Sequence, residues 1–550
     1  MRSLLLVLLP LVASAQTNQP PETSTLQGRV LNAVTGEPVR KAIVQMARID
    51  RPAFPVSASN LLSALTDGSG TYSIPNIEPG AYRIRATRTG YLPVVYGARG
   101  SQQSGTTLDL GQPQQLKGID IRLIPQGVIA GRVLDEDGEP REEVQIQILR
   151  SQYVNGKKVF AVVRPVYTND LGEYRWAGLN PGKYFIYAEI FGSGLQPVTG
   201  ARDAYVPIYY PGVTNIDAAV PFDVIPGAQI RVPDLLLHKA AALTLKGRVV
   251  IEAAGTVGVI NVSITRDVAH DSSGAFMSRS ERTKVTGTGE FEASSLTPGK
   301  YRISASAAVG GTYQMSPVVK LEVSAANVEG VILPIRAGQS ITGAIRVEAE
   351  SAPLPTSAGV KFRPGGPTED FSSNNAAHMS NDGSFRDDNN PPGLYGATVV
   401  GLPDGFYTKS IRMGDREVLY SGFELGSSTT VLDVVISPKA GAVSGVVQDE
   451  KAGKPAGGAT VVIVPKEKER LGIGAYNLQA NSDQLGRFTF KSVPPGKYEV
   501  FAWQEIEPTA WMDPEFMKSF AGKGESAEVE ESSKISIQVN LIPAATEQAK

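Results

Sequence analysis

Short stretches in which apolar and polar residues alternate recur along the whole chain. Residues 72–74, 82–86, 119–123 and 535–541 show this alternation. Because successive side chains of a β-strand point to opposite faces of its sheet, the pattern predicts strands that are buried on one face. The chain also has 57 Gly and 38 Pro alongside 41% hydrophobic residues, a composition rich in turn-forming residues that still allows apolar cores. Together these features favour an all-β fold with many turns.

A longer motif recurs five times and organises the chain. It consists of a Gly, any residue, an aromatic residue and, ten residues after the aromatic, a Tyr that follows a Pro-Gly pair. The instances are Gly70/Tyr72/Pro79-Gly80/Tyr82, Gly172/Tyr174/Pro181-Gly182/Tyr184, Gly289/Phe291/Pro298-Gly299/Tyr301, Gly383/Phe385/Pro392-Gly393/Tyr395 and Gly486/Phe488/Pro495-Gly496/Tyr498. Successive copies lie about a hundred residues apart, the length of an immunoglobulin-sized sandwich. We expect a strand, a corner and a strand, with Pro-Gly forming a type II turn that returns the second strand beside the first.

Two further signatures accompany this motif. An acidic residue precedes its first Gly at Asp67, Asp170, Asp382 and Asp483, where the carboxylate is expected to accept backbone N–H groups of a tight turn. In the third copy Thr286 and Thr288 stand there instead, so this feature is expected to be lost. A Gly-x-Val type strand opens the repeats, with the glycine at Gly28, Gly131, Gly247, Gly343 and Gly445.

The spacing predicts five tandem β-sandwich modules. Their expected boundaries are 26–126, 127–240, 241–338, 339–440 and 441–543, with the third and fourth modules degenerate. Linkers are nearly absent, so the modules are expected to form a fairly stiff rod or arc. The polar segments 51–64 and 365–381 are expected to project as loops from this scaffold.

The N-terminal residues resemble a signal peptide. Arg2 gives a positive start, residues 4–12 are apolar, and Ala13-Ser14-Ala15 forms a small-residue cleavage site, which makes 1–15 the signal peptide and Gln16 the expected first mature residue. An apolar run of nine residues is too short to span a bilayer. We therefore expect a protein that is secreted to the periplasm or cell surface, with no membrane insertion after signal cleavage.

Charge and composition exclude several classes of function. The chain has 53 Lys and Arg against 55 Asp and Glu, a net charge of −2, so no nucleic-acid partner is expected. It has no Cys, which excludes disulfides, thiolate metal sites and Cys nucleophiles. The three histidines, His238, His270 and His378, stand at no zinc-binding spacing. We predict no catalytic residues, no cofactor and no metal site.

Residues 135–139 have the carboxylate density of a calcium loop. No bidentate Glu follows at the twelfth loop position, and Asp at alternating positions before a Gly is also typical of a turn between strands. A turn is the favoured interpretation, and calcium at module junctions stays open.

Aromatic residues are the remaining candidates for binding, since exposed Trp and Tyr rings can stack on sugars. Trp503 and Trp511 flank a loop of the fifth module, and Tyr205, Tyr209 and Tyr210 crowd a Pro-rich stretch of the second. These five residues are the predicted carbohydrate contacts. Trp176 follows Tyr174 on a predicted strand and is expected in the core.

Together the signatures resemble the carboxypeptidase-regulatory-like family, most clearly in the first, second and fifth modules. The first module has Gly28-Arg29-Val30, Gly36-Glu37-Pro38, Ala42-Ile43-Val44, Asp67 to Tyr72 and Pro79 to Tyr82. The resemblance implies prealbumin-like, Ig-like β-sandwiches related to starch-binding-like domains, and implies no peptidase activity. Tandem arrays of this kind also resemble exported proteins of acidobacteria.

The function expected from the sequence is a non-catalytic scaffold or binding protein of the bacterial cell envelope, with a polysaccharide or an envelope protein as partner. A first alternative is carbohydrate binding by exposed aromatic residues of one module. A second is an accessory protein of an outer-membrane uptake system or of a peptidase. An enzyme with an unrecognised carboxylate site is disfavoured, because no non-repeat segment is large enough for a catalytic domain.

Overall fold

The structure is a computed structural model. It describes residues 23–49, 61–98, 105–111, 113–190, 203–266, 281–283, 285–348, 352–366, 377–426 and 429–544. The predicted signal peptide and most of the predicted loops 51–64 and 365–381 lie outside these residues. Within them, no helix is long and apolar enough to cross a membrane.

The described chain is almost entirely β-structure, as predicted. The first repeat contains β1 (Ser24–Asn32), β2 (Ile43–Arg48), β3 (Leu61–Leu65), β4 (Thr71–Ile77), β5 (Gly80–Thr87), β6 (Tyr91–Leu92), β7 (Val94–Val95), β8 (Leu108–Leu110), β9 (Gln115–Leu116) and β10 (Ile121–Pro125). The second contains β11 (Gly127–Leu134), β12 (Val144–Val154), β13 (Lys157–Tyr167), β14 (Glu173–Leu179), β15 (Gly182–Ile190), β16 (Asp203–Tyr205), β17 (Ile208–Tyr209), β18 (Phe222–Val224), β19 (Gln229–Arg231), β20 (Leu235–Leu236) and β21 (Lys239–Ala241).

The third repeat contains β22 (Leu243–Ile251), β23 (Val257–Arg266), β24 (Glu281–Thr283), β25 (Glu290–Leu296), β26 (Gly299–Val309), β27 (Thr312–Met315), β28 (Val319–Val323) and β29 (Val328–Ile335). The fourth contains β30 (Gln339–Val347), β31 (Gly359–Pro364), β32 (Ala377–His378), β33 (Ser384–Asn390), β34 (Gly393–Val400), β35 (Tyr407–Met413), β36 (Arg416–Glu417), β37 (Phe423–Leu425) and β38 (Thr430–Ser437).

The fifth repeat contains β39 (Gly441–Asp449), β40 (Lys454–Pro455), β41 (Thr460–Pro465), β42 (Leu478–Asn481), β43 (Arg487–Val493), β44 (Gly496–Trp503), β45 (Glu525–Val529) and β46 (Lys534–Ile542). It also carries the α-helix Pro514–Lys518, and short 3-10 helices lie at Ile216–Ala218, Lys468–Arg470, Gly474–Tyr476 and Ala510–Met512.

The same pairing scheme builds each repeat. The opening strand pairs antiparallel with the strand that carries the Gly-x-aromatic motif and parallel with a closing strand, as β1 does with β4 and β10. The other opening strands, β11, β22, β30 and β39, pair in the same way. A second sheet is centred on β2 with β5, and on the corresponding pairs β12 with β15, β23 with β26, β31 with β34 and β41 with β44. In the fifth repeat the closing strand β46 also pairs with β44, so the two sheets join into one of eight strands. Apolar residues of the two sheets form the core of each repeat.

The Pro-Gly corner differs from the sequence prediction. The strands on its two sides do not pair: β4 belongs to the sheet of β1, whereas β5 belongs to the sheet of β2. A type II turn needs a φ near +80° at its glycine, but Gly80 has a φ of 158°, which is nearly extended. The corner therefore carries the chain from one sheet to the other, and the predicted return of the second strand beside the first is wrong.

The Tyr after each corner fixes this crossing. In the first repeat the Tyr82 hydroxyl donates to the Glu78 carbonyl oxygen over 3.0 Å. The same bond to the residue four positions earlier is made by Tyr184, Tyr301, Tyr395 and Tyr498. This geometry is the tyrosine corner of immunoglobulin-like sandwiches. It explains the invariant spacing between the Pro-Gly pair and the Tyr.

The opening glycine and the motif aromatic are direct neighbours across the first sheet. The register pairs Gly28 with Tyr72 and, in the other repeats, Gly131 with Tyr174, Gly247 with Phe291, Gly343 with Phe385 and Gly445 with Phe488. The ring leaves no room for a side chain on the glycine: a Cβ placed on Gly445 would lie 2.0 Å from the Ile537 carbonyl oxygen and 2.8 Å from the end of the Phe488 ring. The aromatic residue of the repeated motif and the glycine of the Gly-x-Val strand therefore form one contact.

The turn before the motif glycine agrees with the prediction in part. Asp67 Oδ1 accepts from the backbone N–H groups of Ser69 and Thr71, and Asp483 does the same for Leu485 and Arg487. In the second repeat the acceptor is Asn169, not the predicted Asp170. In the third repeat the bond is not lost, because the Thr286 hydroxyl accepts from the Glu290 N–H.

Consecutive repeats follow each other almost without a linker, as expected. β10 ends at Pro125 and β11 begins at Gly127, while only residues 438–440 separate β38 from β39. The last junction is also tied by side chains. Lys409 contacts Glu348 and, over 3.2 Å, Glu531, and Lys439 lies 3.3 Å from Glu531.

Replacing Gly445 by Ala is expected to destabilise the fifth repeat by about 2 kcal/mol or more, because the new methyl group overlaps a sheet carbonyl and a buried ring. Hydrogen exchange of the amides in β39 and β43, read by mass spectrometry, measures this locally and does not require the whole chain to unfold in one step. The control is Gly474→Ala, where a Cβ meets nothing within 4 Å. Equal protection in the two variants would contradict the contact.

Candidate functional site

The second sheet of the fifth repeat is apolar on both of its faces. In β41, Val461 and Ile463 point into the core of the repeat, whereas Val462 and Val464 belong to a separate apolar cluster on the opposite face. On the neighbouring strand β44, Phe501 and Trp503 join this outer cluster. A strand buried on both faces has an unbroken apolar sequence, which is the pattern of residues 461–464.

The segment between β44 and β45 covers this outer face. Trp511 and Met512, from the 3-10 helix Ala510–Met512, are buried in the outer cluster. The α-helix Pro514–Lys518 follows, begun by Asp513, whose Oδ1 accepts from the Glu515 N–H, and by a proline in its first turn. Residues 504–524 thus form a cap, which we call the cap of the fifth repeat.

Aromatic rings connect the cap to the sheet. Phe501 and Trp503 stack with ring centroids 5.2 Å apart, and Phe520 meets Trp503 edge-on at 5.4 Å. Phe516 lies 5.1 Å from Phe520. Such pairs stabilise by about 1 kcal/mol each beyond the area that they bury.

The predicted sugar platform at Trp503 and Trp511 is not exposed. Both side chains are only 2% exposed, because the cap closes over them. A ring that stacks on a sugar must offer a free face, so the expectation of an exposed platform at these two residues is wrong in this structure. The two tryptophans beside a polar loop in the sequence therefore belong to a cap that has its own apolar core.

The three predicted tyrosines of the second repeat lie elsewhere and differ in environment. Tyr209 is 3% exposed and packs with Leu149, Tyr187 and Ile216. Tyr210 lies against the Phe222 ring with a centroid distance of 4.9 Å.

Tyr205 is half-buried and lies close to two cations. The Arg141 guanidinium lies 5.3 Å and the Lys239 ammonium 4.8 Å from its ring centroid. The ring therefore already makes cation–π contacts within the protein. Trp176, in contrast, is 3% exposed in the core, as predicted.

The cap also contacts the second repeat. The Tyr153 ring, near the end of β12, meets the Phe516 ring edge-on at a centroid distance of 5.7 Å. A Cβ placed on Gly156, in the turn between β12 and β13, would lie 2.5 Å from the Met512 carbonyl oxygen. The tip of the β12–β13 hairpin therefore packs against the cap.

The first repeat reaches the fifth as well. A Cβ on Gly458 would lie 2.7 Å from the Gly97 carbonyl oxygen and 3.0 Å from the Thr106 hydroxyl. Since the fifth repeat contacts both the first and the second, the array closes on itself. Of the two predicted shapes, a stiff rod or an arc, the rod is wrong, because the sequence carries the short linkers but not the contacts between distant repeats.

The polar groups that the sequence suggested for ion binding have structural partners. Asp135 Oδ1 accepts from the N–H groups of Asp137 and Glu139, which is the turn favoured above. Glu136 pairs with Lys239, and this hydrogen bond lowers the pKa of the Glu136 carboxyl. Across the described ranges, no group of three His, Asp or Glu side chains could hold a metal ion. His238 is exposed, and His270 lies outside the described residues.

Several buried tyrosines have raised pKa values. Burial raises the pKa of Tyr395 to about 12, and it raises the pKa of Tyr498 further. Both hydroxyls donate to backbone carbonyls of their corners. Shifted groups often mark active sites, but these two support the fold.

Comparison with known proteins gives one family and a set of solved structures. The model of the carboxypeptidase regulatory-like domain matches residues 25–123 and 442–507, in the first and fifth repeats. A search of the curated proteins found no match.

Among solved structures, the minor pilin GBS52 of Streptococcus agalactiae is 14% identical with a TM-score of 0.23 and covers 40% of this chain and 97% of its own. The major pilin subunit BcpA of Bacillus cereus is 11% identical with a TM-score of 0.13, covering 76% and 99%. The Bacillus anthracis TIE protein is 11% identical with a TM-score of 0.15, covering 95% and 74%. TM-scores this low carry no conclusion about this chain.

Replacing Phe516 by Ala is expected to open the array, because it removes the ring that joins the cap to Tyr153. The chain has no Cys, so spin labels on Lys158→Cys and Ser519→Cys report only the distance between the hairpin and the cap. We expect one short, narrow distance in the parent and a broad distribution extending to longer distances after Phe516→Ala.

The matched control is Glu515→Ala, which changes an exposed residue of the same helix. It should leave the distribution narrow. A distribution that is broad in the parent, or unchanged by Phe516→Ala, would show that the contact does not close the array.

Proposed function

We propose that this chain, which carries carboxypeptidase regulatory-like domains in its first and fifth repeats, is a non-catalytic scaffold of the bacterial cell envelope. Its working form is a closed array of five β-sandwich modules with the boundaries 26–126, 127–240, 241–338, 339–440 and 441–543. The observation that carries this proposal is the contact of the fifth repeat with the second. Because the fifth repeat packs against the second, the outer surfaces of the five modules are held in a fixed arrangement.

Two properties support rigidity. Junctions of one to three residues, such as residue 126 and residues 438–440, leave little freedom between neighbours. At the last junction, Lys409 and Lys439 share the carboxylates of Glu348 and Glu531, and the hydrogen bond from Lys409 lowers the pKa of both acids. Exposed pairs contribute little singly, but a network of several charges can fix an orientation.

The residues of the repeated motif have structural roles, which agrees with a non-catalytic function. The motif residues, which would be the natural place for chemistry shared by all repeats, are occupied by turns, corners and the packing of an aromatic ring on a glycine. The family matched in two repeats is a regulatory-like domain. Function then resides in outer surfaces and in their spacing.

Export and an envelope partner complete the proposal. Residues 1–15 act as a signal peptide, and the mature chain lies in the periplasm or on the cell surface, bound to a polysaccharide or to an envelope protein. Several binding surfaces on one rigid chain strengthen weak contacts with a polymeric partner through effective concentration.

The test follows the full chain in a bacterial host. After fractionation we expect the processed chain in the periplasmic or surface fraction, and we expect purified residues 16–550 to be retained on isolated envelopes in a saturable manner, with and without calcium. The control variant Leu6→Arg with Leu8→Arg interrupts the apolar stretch of the signal peptide and should stay in the cytoplasm. A parent chain that remains cytoplasmic, or that is not retained on envelopes, would contradict the proposal.

A further inference from the structure

A groove of about 500 Å³ lies over the first sheet of the second repeat. Beside this groove the parallel pairing of the opening strand is interrupted. β19 pairs with residues 128–130 and β20 with residues 133–134, so Gly131 and Arg132 have no parallel partner strand beside them. Gly131 adds no side chain that could fill the gap. In the fourth repeat, by comparison, β38 pairs without interruption along residues 341–347.

Two buried donors line this groove without an acceptor. Tyr174 is 3% exposed, and neither its hydroxyl nor the Arg132 Nε has a hydrogen-bond partner among the residues that the structure describes. In the first repeat the equivalent Tyr72 hydroxyl donates to the Ile119 carbonyl oxygen over 2.7 Å. Leaving such a donor unpaired is costly. Both donor atoms have almost no exposed surface, so they mark the interrupted pairing and are not open to a ligand in the groove.

The charge of the groove is positive. Its lining includes Arg132, Arg175 and Arg231 against the single acid Glu173. Arg132 pairs with Asp234 just outside the lining. In the described part of the chain, Arg175 and Arg231 form no ion pair, and both are exposed. With Asp234 counted, one positive charge remains in excess.

An open aromatic ring completes the lining. Tyr167, at the end of β13, is 58% exposed, and its hydroxyl is positioned by a 3.0 Å hydrogen bond from the Gln145 side chain. A partly exposed ring that is held by its own hydroxyl offers a rigid face for stacking.

We propose that this groove binds an acidic sugar, a uronic acid unit of a polysaccharide. The sugar ring stacks on Tyr167, and its carboxylate binds the guanidinium groups of Arg175 and Arg231, which flank Ala130 on the two neighbouring strands. Guanidinium groups match the two oxygens of a carboxylate. The stacking face favours a sugar over a bare inorganic anion.

The fourth repeat provides an internal control. A groove of about 590 Å³ lies at the equivalent place, over Gly343 and Phe385. Phe385 has no hydroxyl, Arg386 pairs with Asp388, and Asp433 pairs with Arg346. The lining residues Arg386 and Asp433 cancel in charge. The same site in the fourth repeat therefore lacks the features that would recognise an acidic sugar.

The experiment is calorimetric titration of the mature chain, residues 16–550, with a galacturonate tetramer, with a neutral glucose tetramer and with sodium phosphate. We expect binding of the galacturonate tetramer alone, weakening as salt is added. Arg175→Gln with Arg231→Gln should weaken it at least about tenfold. Arg386→Gln, in the groove of the fourth repeat, should leave it unchanged.

The two arginines are exposed, so their replacement is not expected to disturb the fold. Absence of galacturonate binding, or binding that survives the double arginine variant, overturns the site. If the neutral tetramer binds equally well, the site does not recognise charge. If phosphate binds equally tightly, the site does not recognise a sugar. Failure of this test leaves the scaffold role standing, because the groove does not take part in closing the array.

Discussion

The packing of an aromatic ring on a bare glycine is the constraint on which each repeat depends. The ring of the motif strand occupies the space that a side chain would fill on the opening strand, as Phe488 does on Gly445. This contact sets the register of the two strands, because a shift by one residue would turn every side chain to the other face of the sheet. Ten residues later the tyrosine corner fixes where the chain leaves this sheet, and the second sheet can then form only on the other side of the core.

The array closes through residues that the repeats do not share. The cap of the fifth repeat has its own apolar cluster and presents Phe516 to the hairpin of the second repeat. The repeats thus share one fold, and the residues that differ between them determine which contacts each repeat makes. The grooves of the second and fourth repeats illustrate this, since Tyr174 and Phe385 occupy equivalent positions in linings of different charge.

The all-β fold, the repeat and the short junctions were predictable because they depend on local patterns: alternation, turn residues and a fixed spacing. The corner was predicted incorrectly because Pro-Gly is compatible both with a type II turn and with a crossing between sheets, and only the hydrogen bond of the following Tyr decides between them. Trp503 and Trp511 were predicted as exposed because burial under the cap depends on tertiary packing of residues 504–524. The unbroken apolar run at 461–464 was the available sign that this sheet is covered on both faces. The contact between Tyr153 and Phe516 joins residues far apart in sequence and left no pattern to find.

Small-angle X-ray scattering of the mature chain tests the closed array most directly. Five modules of about a hundred residues, each with a radius of gyration of about 13 Å, would span roughly 170 Å in a straight row. Closure of the fifth repeat on the first and second predicts a maximum dimension well below that length and a single compact distribution of distances. A maximum dimension near 170 Å, with the scattering profile of a rod, would contradict the closed scaffold.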